Sequence, residues 1–187
     1  MSTTEILTAN DALKGFVKIW KTDPVTGESS LLVDKPNLIL KGGAKIITQL
    51  LGGNTSYGIW GMYIGYNNNA TFTPPVIDID YTNTFAARAD ANFGYLREPL
   101  TFSPSYSSSA GYDSNTVLFS TMLTSSTKQA GANFNNDSNV YEVALISAPA
   151  VADPAKDVVF SRTNFNPVKY DNTFNFTITW GVRILLP

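Results

Sequence analysis

Residues 174–184, FNFTITWGVRI, hold the strictest pattern in the chain: Phe174, Phe176, Ile178, Trp180, Val182 and Ile184 alternate with Asn175, Thr177, Thr179, Gly181 and Arg183. A period of two sends successive side chains to opposite faces of an extended backbone, so one face here is wholly apolar. The stretch predicts an antiparallel strand with that face on a core and the other toward water.

Working outward, Val158 to Phe160, Val140 to Ser147 and Thr116 to Thr124 read as further strands, separated by the turn-rich APAVADPAKD and the polar KQAGANFNNDSN. IWGMYIGY at 59–66 is an apolar and aromatic run that stops at Asn67, Asn68 and Asn69, a buried strand entering a loop. Near the start, Phe16, Lys18 and Trp20 project to one side of a strand and Val17, Ile19 and Lys21 to the other. Asp23-Pro-Val-Thr-Gly27 then supplies a turn, with Pro24 preset in φ and Gly27 free to take a positive one. The stretch 70–115, broken by Pro74, Pro75, Pro99 and Pro104, reads either as short strand pieces around Tyr95, Leu100, Phe102 and Tyr106 or as a long ordered loop.

One helix is predicted near residues 43–51, within KGGAKIITQLLGG, where Ile46, Ile47, Leu50 and Leu51 form a stripe and Gly52 and Gly53 suit a C-cap. The spacing G-x-x-x-x-G-K-[ST] is absent, so these glycines are not a phosphate-cradling loop. About eight short strands, one helix and no strand-helix repetition predict an all-β fold, an antiparallel β-sandwich of jelly-roll type. Residues 1–14 read as a polar arm and 15–187 as one domain.

The 187 residues include only 15% charged side chains, against about a quarter in ordinary domains. Their place is taken by 17 Asn, 20 Thr and 16 Ser, and the formal net charge is −2. A coiled coil and a basic nucleic-acid clamp are both excluded by that balance. The absence of His and Cys removes the usual general base, thiolate and zinc ligands, and with them any disulfide. No apolar run approaches the 18 or so residues of a membrane span, and the start lacks the pattern of a secretory signal.

Candidate sites follow from the carboxylates and aromatics. Asp78 and Asp80 flank Ile79 and share a face in extended backbone, as a hard-cation site would need, and Asn133 to Asn139 concentrates oxygen ligands without the glycine and glutamate of an EF-hand. Neither rises above a solvated edge or an Asn-rich turn, so no metal or cofactor is assigned. A glycoside hydrolase needs two carboxylates and aromatic platforms, and Glu98 and Glu142 with Trp20, Trp60 and Trp180 supply the types without a selecting spacing. Glu142 stands inside an apolar strand, where a carboxylate requires a cation, and Arg162 on the following strand is its expected partner in a structural ion pair. Tyr57, Tyr63, Tyr66, Tyr95, Tyr106 and Tyr112, set among Asn and Ser, are the candidate interface residues, suited equally to a protein surface or a glycan.

NLILKGGAKIITQLLGG, IWGMYIGYNN, VYEVALIS and VVFSRTNFNPVKYDNTFNFTITWGVRIL occur in that order. In this order they resemble small β-rich virion structural proteins of tailed bacteriophages, over about half of the chain. The resemblance implies a subunit synthesised in the host cytoplasm and held in the virion in many copies, most simply as a capsid decoration or cement protein. Its implied partners are the major capsid protein and copies of itself, with no nucleic acid or membrane. A tail, neck or baseplate component, or a receptor- or glycan-binding module, is the alternative. On the leading reading, deletion of residues 1–14 or of a loop at 97–112 weakens attachment and leaves the fold intact.

Overall fold

The computed structural model describes residues 13–67, 94–106, 116–124, 134, 138–171 and 173–184. At its centre β10 (Asn175–Ile184) lies between β1 (Leu13–Thr22) and β7 (Thr116–Leu123), antiparallel to both. Val17, Trp180 and Phe119 stand in one cross-strand row and Ile19, Ile178 and Thr121 in the next, so the alternation seen in the sequence becomes one continuous buried face. Phe174 falls outside the strand, in the turn before it, where its ring receives the Lys21 ammonium at 3.5 Å. With β2 (Ser29–Pro36) and β6 (Phe102–Tyr106) at the edges, this sheet runs β2-β1-β10-β7-β6.

The β1–β2 turn is built by Asp23. Its side chain accepts the backbone N–H of Val25 at 2.7 Å and of Thr26 at 3.0 Å, and Gly27 takes φ 74°. Those two donors, Thr26 foremost, hold the Asp23 carboxyl below its ordinary value.

The second sheet runs β3-β9-β8-β4-β5, from β3 (Leu38–Ile39), β9 (Val158–Lys169), β8 (Asn139–Ser147), β4 (Ile59–Asn67) and β5 (Gly94–Pro99). All pairings are antiparallel, so the protein is an all-β sandwich of two five-stranded sheets. Met62, Ile64, Leu96, Val143 and Leu145 face Val17, Ile19, Phe119, Ile178 and Trp180 in one core, each burial of that size contributing about 1.5–3 kcal/mol. Tyr66, Phe134, Tyr170 and Phe176 close one end with ring centroids 5.1, 4.4 and 5.4 Å apart in succession. The Tyr170 hydroxyl donates to the Thr124 carbonyl at 2.6 Å.

Two expectations change here. Residues 97–112 are not a removable loop, because β5 and β6 occupy much of that stretch and β5 is hydrogen-bonded to β4. Likewise Leu13 and Lys14, assigned to the arm, pair with Ile184 and Arg183 in the first sheet.

The helix α1 (Lys41–Leu51) starts two residues before the expected 43, so that Gly42 and Gly43 both belong to its first turn. The Leu40 N–H donates to the Phe160 carbonyl at 3.1 Å, which carries the β3–β9 ladder to the helix itself. A Cβ on Gly43 would stand 2.7 Å from the Phe160 carbonyl oxygen, and one on Gly42 would collide with that of Val159. These glycines therefore let the first turn lie on β9, and the stripe residue Ile46 enters the core. At the other end Gly53, φ 82°, donates to Leu50 while Asn54 donates to Gln49, a Schellman cap.

Candidate functional site

Three places could carry function: the outer face of the first sheet, the far face of the second, and a cleft at the first turn of α1. On the first sheet the residues alternating with the core row form an outward surface. Phe16, Gly181 and Leu118 make one row, Lys18, Thr179 and Ser120 the next, and Trp20, Thr177 and Met122 a third. Phe16 lies against Gly181, where any Cβ would meet its ring. Leu31 and Phe102, at the two edges, are 42% and 48% exposed. Lys18 and Asp34 form an ion pair on this face, 3.4 Å apart, and such exposed pairs stabilise little. Lys14 and Arg183 pair in the row at one end, and between the charged positions the surface is apolar and Thr/Ser-rich.

On the far face of the second sheet the pleat brings Arg97, Tyr63, Ala144 and Arg162 into register across β5, β4, β8 and β9. Tyr95, Gly65, Glu142 and Asn164 form the adjacent row. Tyr63, Ala144 and Ile146 are fully buried and pack with Leu40 and Val159, so this sheet is covered on both sides. Glu142 and Arg162, each 1% exposed, meet there, Arg162 Nη2 donating to Glu142 Oε2. They stand diagonally, one pleat apart on neighbouring strands, and tie β8 to β9.

A second ion pair on this face was not foreseen. Arg97 grips Asp157 with two parallel bonds, Nε to Oδ2 at 2.6 Å and Nη2 to Oδ1 at 2.9 Å, and the Tyr63 hydroxyl donates to Oδ2 at 2.6 Å. Trp60 stacks under the guanidinium at 4.0 Å, and Tyr95 meets Tyr63 edge-on at 5.2 Å. Burial, then the hydrogen bond to Asp157, pushes the Tyr63 phenol far up, and the same carboxylate raises Arg97. With three donors on its two oxygens, Asp157 is an anchor and no general base. The sequence signal for it is slight: an acidic residue closing a Pro-containing turn, with partners 60 and 94 positions away.

The remaining candidates separate. Tyr63 and Tyr66, read as surface residues, are buried, one in the polar band of the far face and one in the aromatic ladder; both are withdrawn as interface contacts. Tyr57 and Tyr95 are half-buried, and Tyr106 pairs through its backbone with Val117. Glu98 stands opposite Met62 and Glu142 opposite Gly65, which are inner- and far-face positions, so the sheet separates the two carboxylates. Trp180 lies in the core, Trp60 on the far face and Trp20 on the first sheet's outer face, so they form no common platform. Tyr112, Asp78 and Asp80 lie outside the described residues. Of Asn133 to Asn139, Phe134 is a core residue and the Ser138 carbonyl accepts from the Tyr170 N–H. Among the described residues no group of three or more Asp or Glu is placed to hold a metal ion.

The cleft has a volume of about 480 Å³ and opens between α1, Tyr57 and the short 3₁₀ turn Pro154–Lys156. Lys41, Lys45 and Lys156 ring it, and the Asp157 just described lies in its wall. Lys45 Nζ stands 5.8 Å from the centre of the Tyr57 ring. No protein-family model matches the chain, and neither the curated proteins nor the solved structures include a match to it.

Proposed function

We propose that this protein is a structural subunit of a tailed-bacteriophage virion, a decoration or cement protein that docks on the major capsid protein through the outer face of its first sheet. One observation carries the reading: that face sets Phe16, Trp20, Leu31, Leu118, Met122 and Phe102 among Thr and Ser, with charge confined to the Lys18–Asp34 pair and to the Lys14–Arg183 row at one end. Interface cores are depleted in charge and enriched in aromatics and Met in the same way. Short polar side chains also lose little rotamer freedom when covered. Docking would stabilise a shell by mass action, since a subunit that binds only the assembled state favours that state. The resemblance in element order and the low-charge composition point the same way.

The test is co-sedimentation with capsids assembled without this protein. Trp20→Asp combined with Met122→Asp is expected to lower retention at least tenfold, with the circular dichroism of the free protein unchanged. Equal retention of this variant would overturn the proposed face. Retention on tail structures or on a glycan, and none on capsids, would replace the reading with the tail or receptor-binding one.

A further inference from the structure

We infer that the cleft at the first turn of α1 is a binding site for a small ligand bearing a phosphate group. Lys41 and Lys45, one turn apart on α1, converge there with Lys156 from a separate element. Asp157 is the one acidic residue lining the cleft among the described residues, and Arg97 and Tyr63 already take both its oxygens. Lys156 also meets Asp153 at 3.4 Å, an exposed pair that leaves further ammonium donors. A chain of formal net charge −2 thus gathers positive charge at one concave place.

The helix adds to the positive potential of the cleft. Its first turn contains no acidic residue, although the positive end of the macrodipole favours one, and Lys41 begins the helix with Lys45 four positions on. Like charges at that spacing repel. A dianion is attracted by both the helix end and the lysines, and local electrostatics set against the helix are expected where a site overrides local preference. The volume falls within the range of about 300–1,000 Å³ typical of small-molecule pockets. The ring of Tyr57, with Pro149 and Val158, offers an apolar wall for the organic part of such a ligand. This is no glycine-loop cradle, because Gly42 and Gly43 are packed against β9; lysine charge does the binding. The inference goes beyond the proposed virion role and does not depend on it.

Calorimetric titration of the full chain with pyrophosphate and with adenosine monophosphate, at constant ionic strength, tests it. One saturable site is expected for each probe, weakened at least tenfold in Lys45→Gln/Lys156→Gln. Binding should be retained in Lys45→Arg/Lys156→Arg and in Lys35→Gln, whose charge lies on β2 of the other sheet. Saturating pyrophosphate should raise the Tm of the wild type but not of the double Gln variant. The inference is overturned if neither probe saturates by about 10 mM, or if the double Gln variant binds as the wild type does.

Discussion

Arg162 and Glu142 show how much a single side chain in the second sheet depends on its partner. Both are almost wholly buried, so removing one strips the other of its ion-pair partner inside a low-dielectric face. Breaking such a pair costs about 3–5 kcal/mol, whereas exchanging both members for apolar residues of similar volume is often neutral or stabilising. Arg162→Met alone and Glu142→Leu alone are therefore expected each to lower stability by about that 3–5 kcal/mol, and the double variant to recover most of the loss. Urea denaturation of the four proteins checks this; additive losses in the double variant would show that the pair is not a unit. The partnership was legible because a carboxylate inside VYEVALIS demands a cation and Arg162 lies on the next strand. Arg97 with Asp157 was not, since their meeting is fixed by the approach of chain segments 60 residues apart.

At the scale of elements, the same contrast follows from which faces water touches. The last strand was readable residue by residue because its two faces differ, one on the core and one outward. β4 and β8 are buried on both sides, so alternation vanishes and nothing in IWGMYIGY tells Tyr63 or Tyr66 from an exposed tyrosine. α1 and its C-terminal glycines were legible, yet the reason for Gly42 and Gly43 was not, because it is the backbone of β9. Three substitutions separate the two uses of glycine. Gly42→Ala drives a methyl into the Val159 carbonyl and is expected to cost about 1–3 kcal/mol as overpacking. Gly53→Ala meets no neighbour but must hold φ 82°, for about 1–2 kcal/mol. Gly52→Ala, at an ordinary φ of −76°, is expected to be neutral within about 0.5 kcal/mol. Thermal unfolding of the three variants gives the order directly, and a harmless Gly42→Ala would contradict the packing of α1 on β9.

For the molecule as a whole, stability against pH sums groups that act in opposite directions. Asp23 and Asp171 are held below their ordinary values by local hydrogen bonds, so what they contribute is present at neutral pH and is lost on acidification. Glu98 acts against them. It is half-buried on the core side of the edge strand β5, opposite Met62, and desolvation raises its carboxyl above 4.5. The folded state then holds this proton where the unfolded state has released it, and stability from Glu98 falls as pH rises from 4.5 through the raised folded value. At neutral pH the folded protein therefore carries a poorly solvated charge. Glu98→Gln removes that charge and keeps the size, so its Tm should exceed the wild type at pH 7. Once Glu98 is protonated in both states, well below its ordinary value, the two proteins should melt together. A Tm difference that stays constant across this range would mean that the carboxylate is as well solvated folded as unfolded, and that the edge of the core at β5 is open to water.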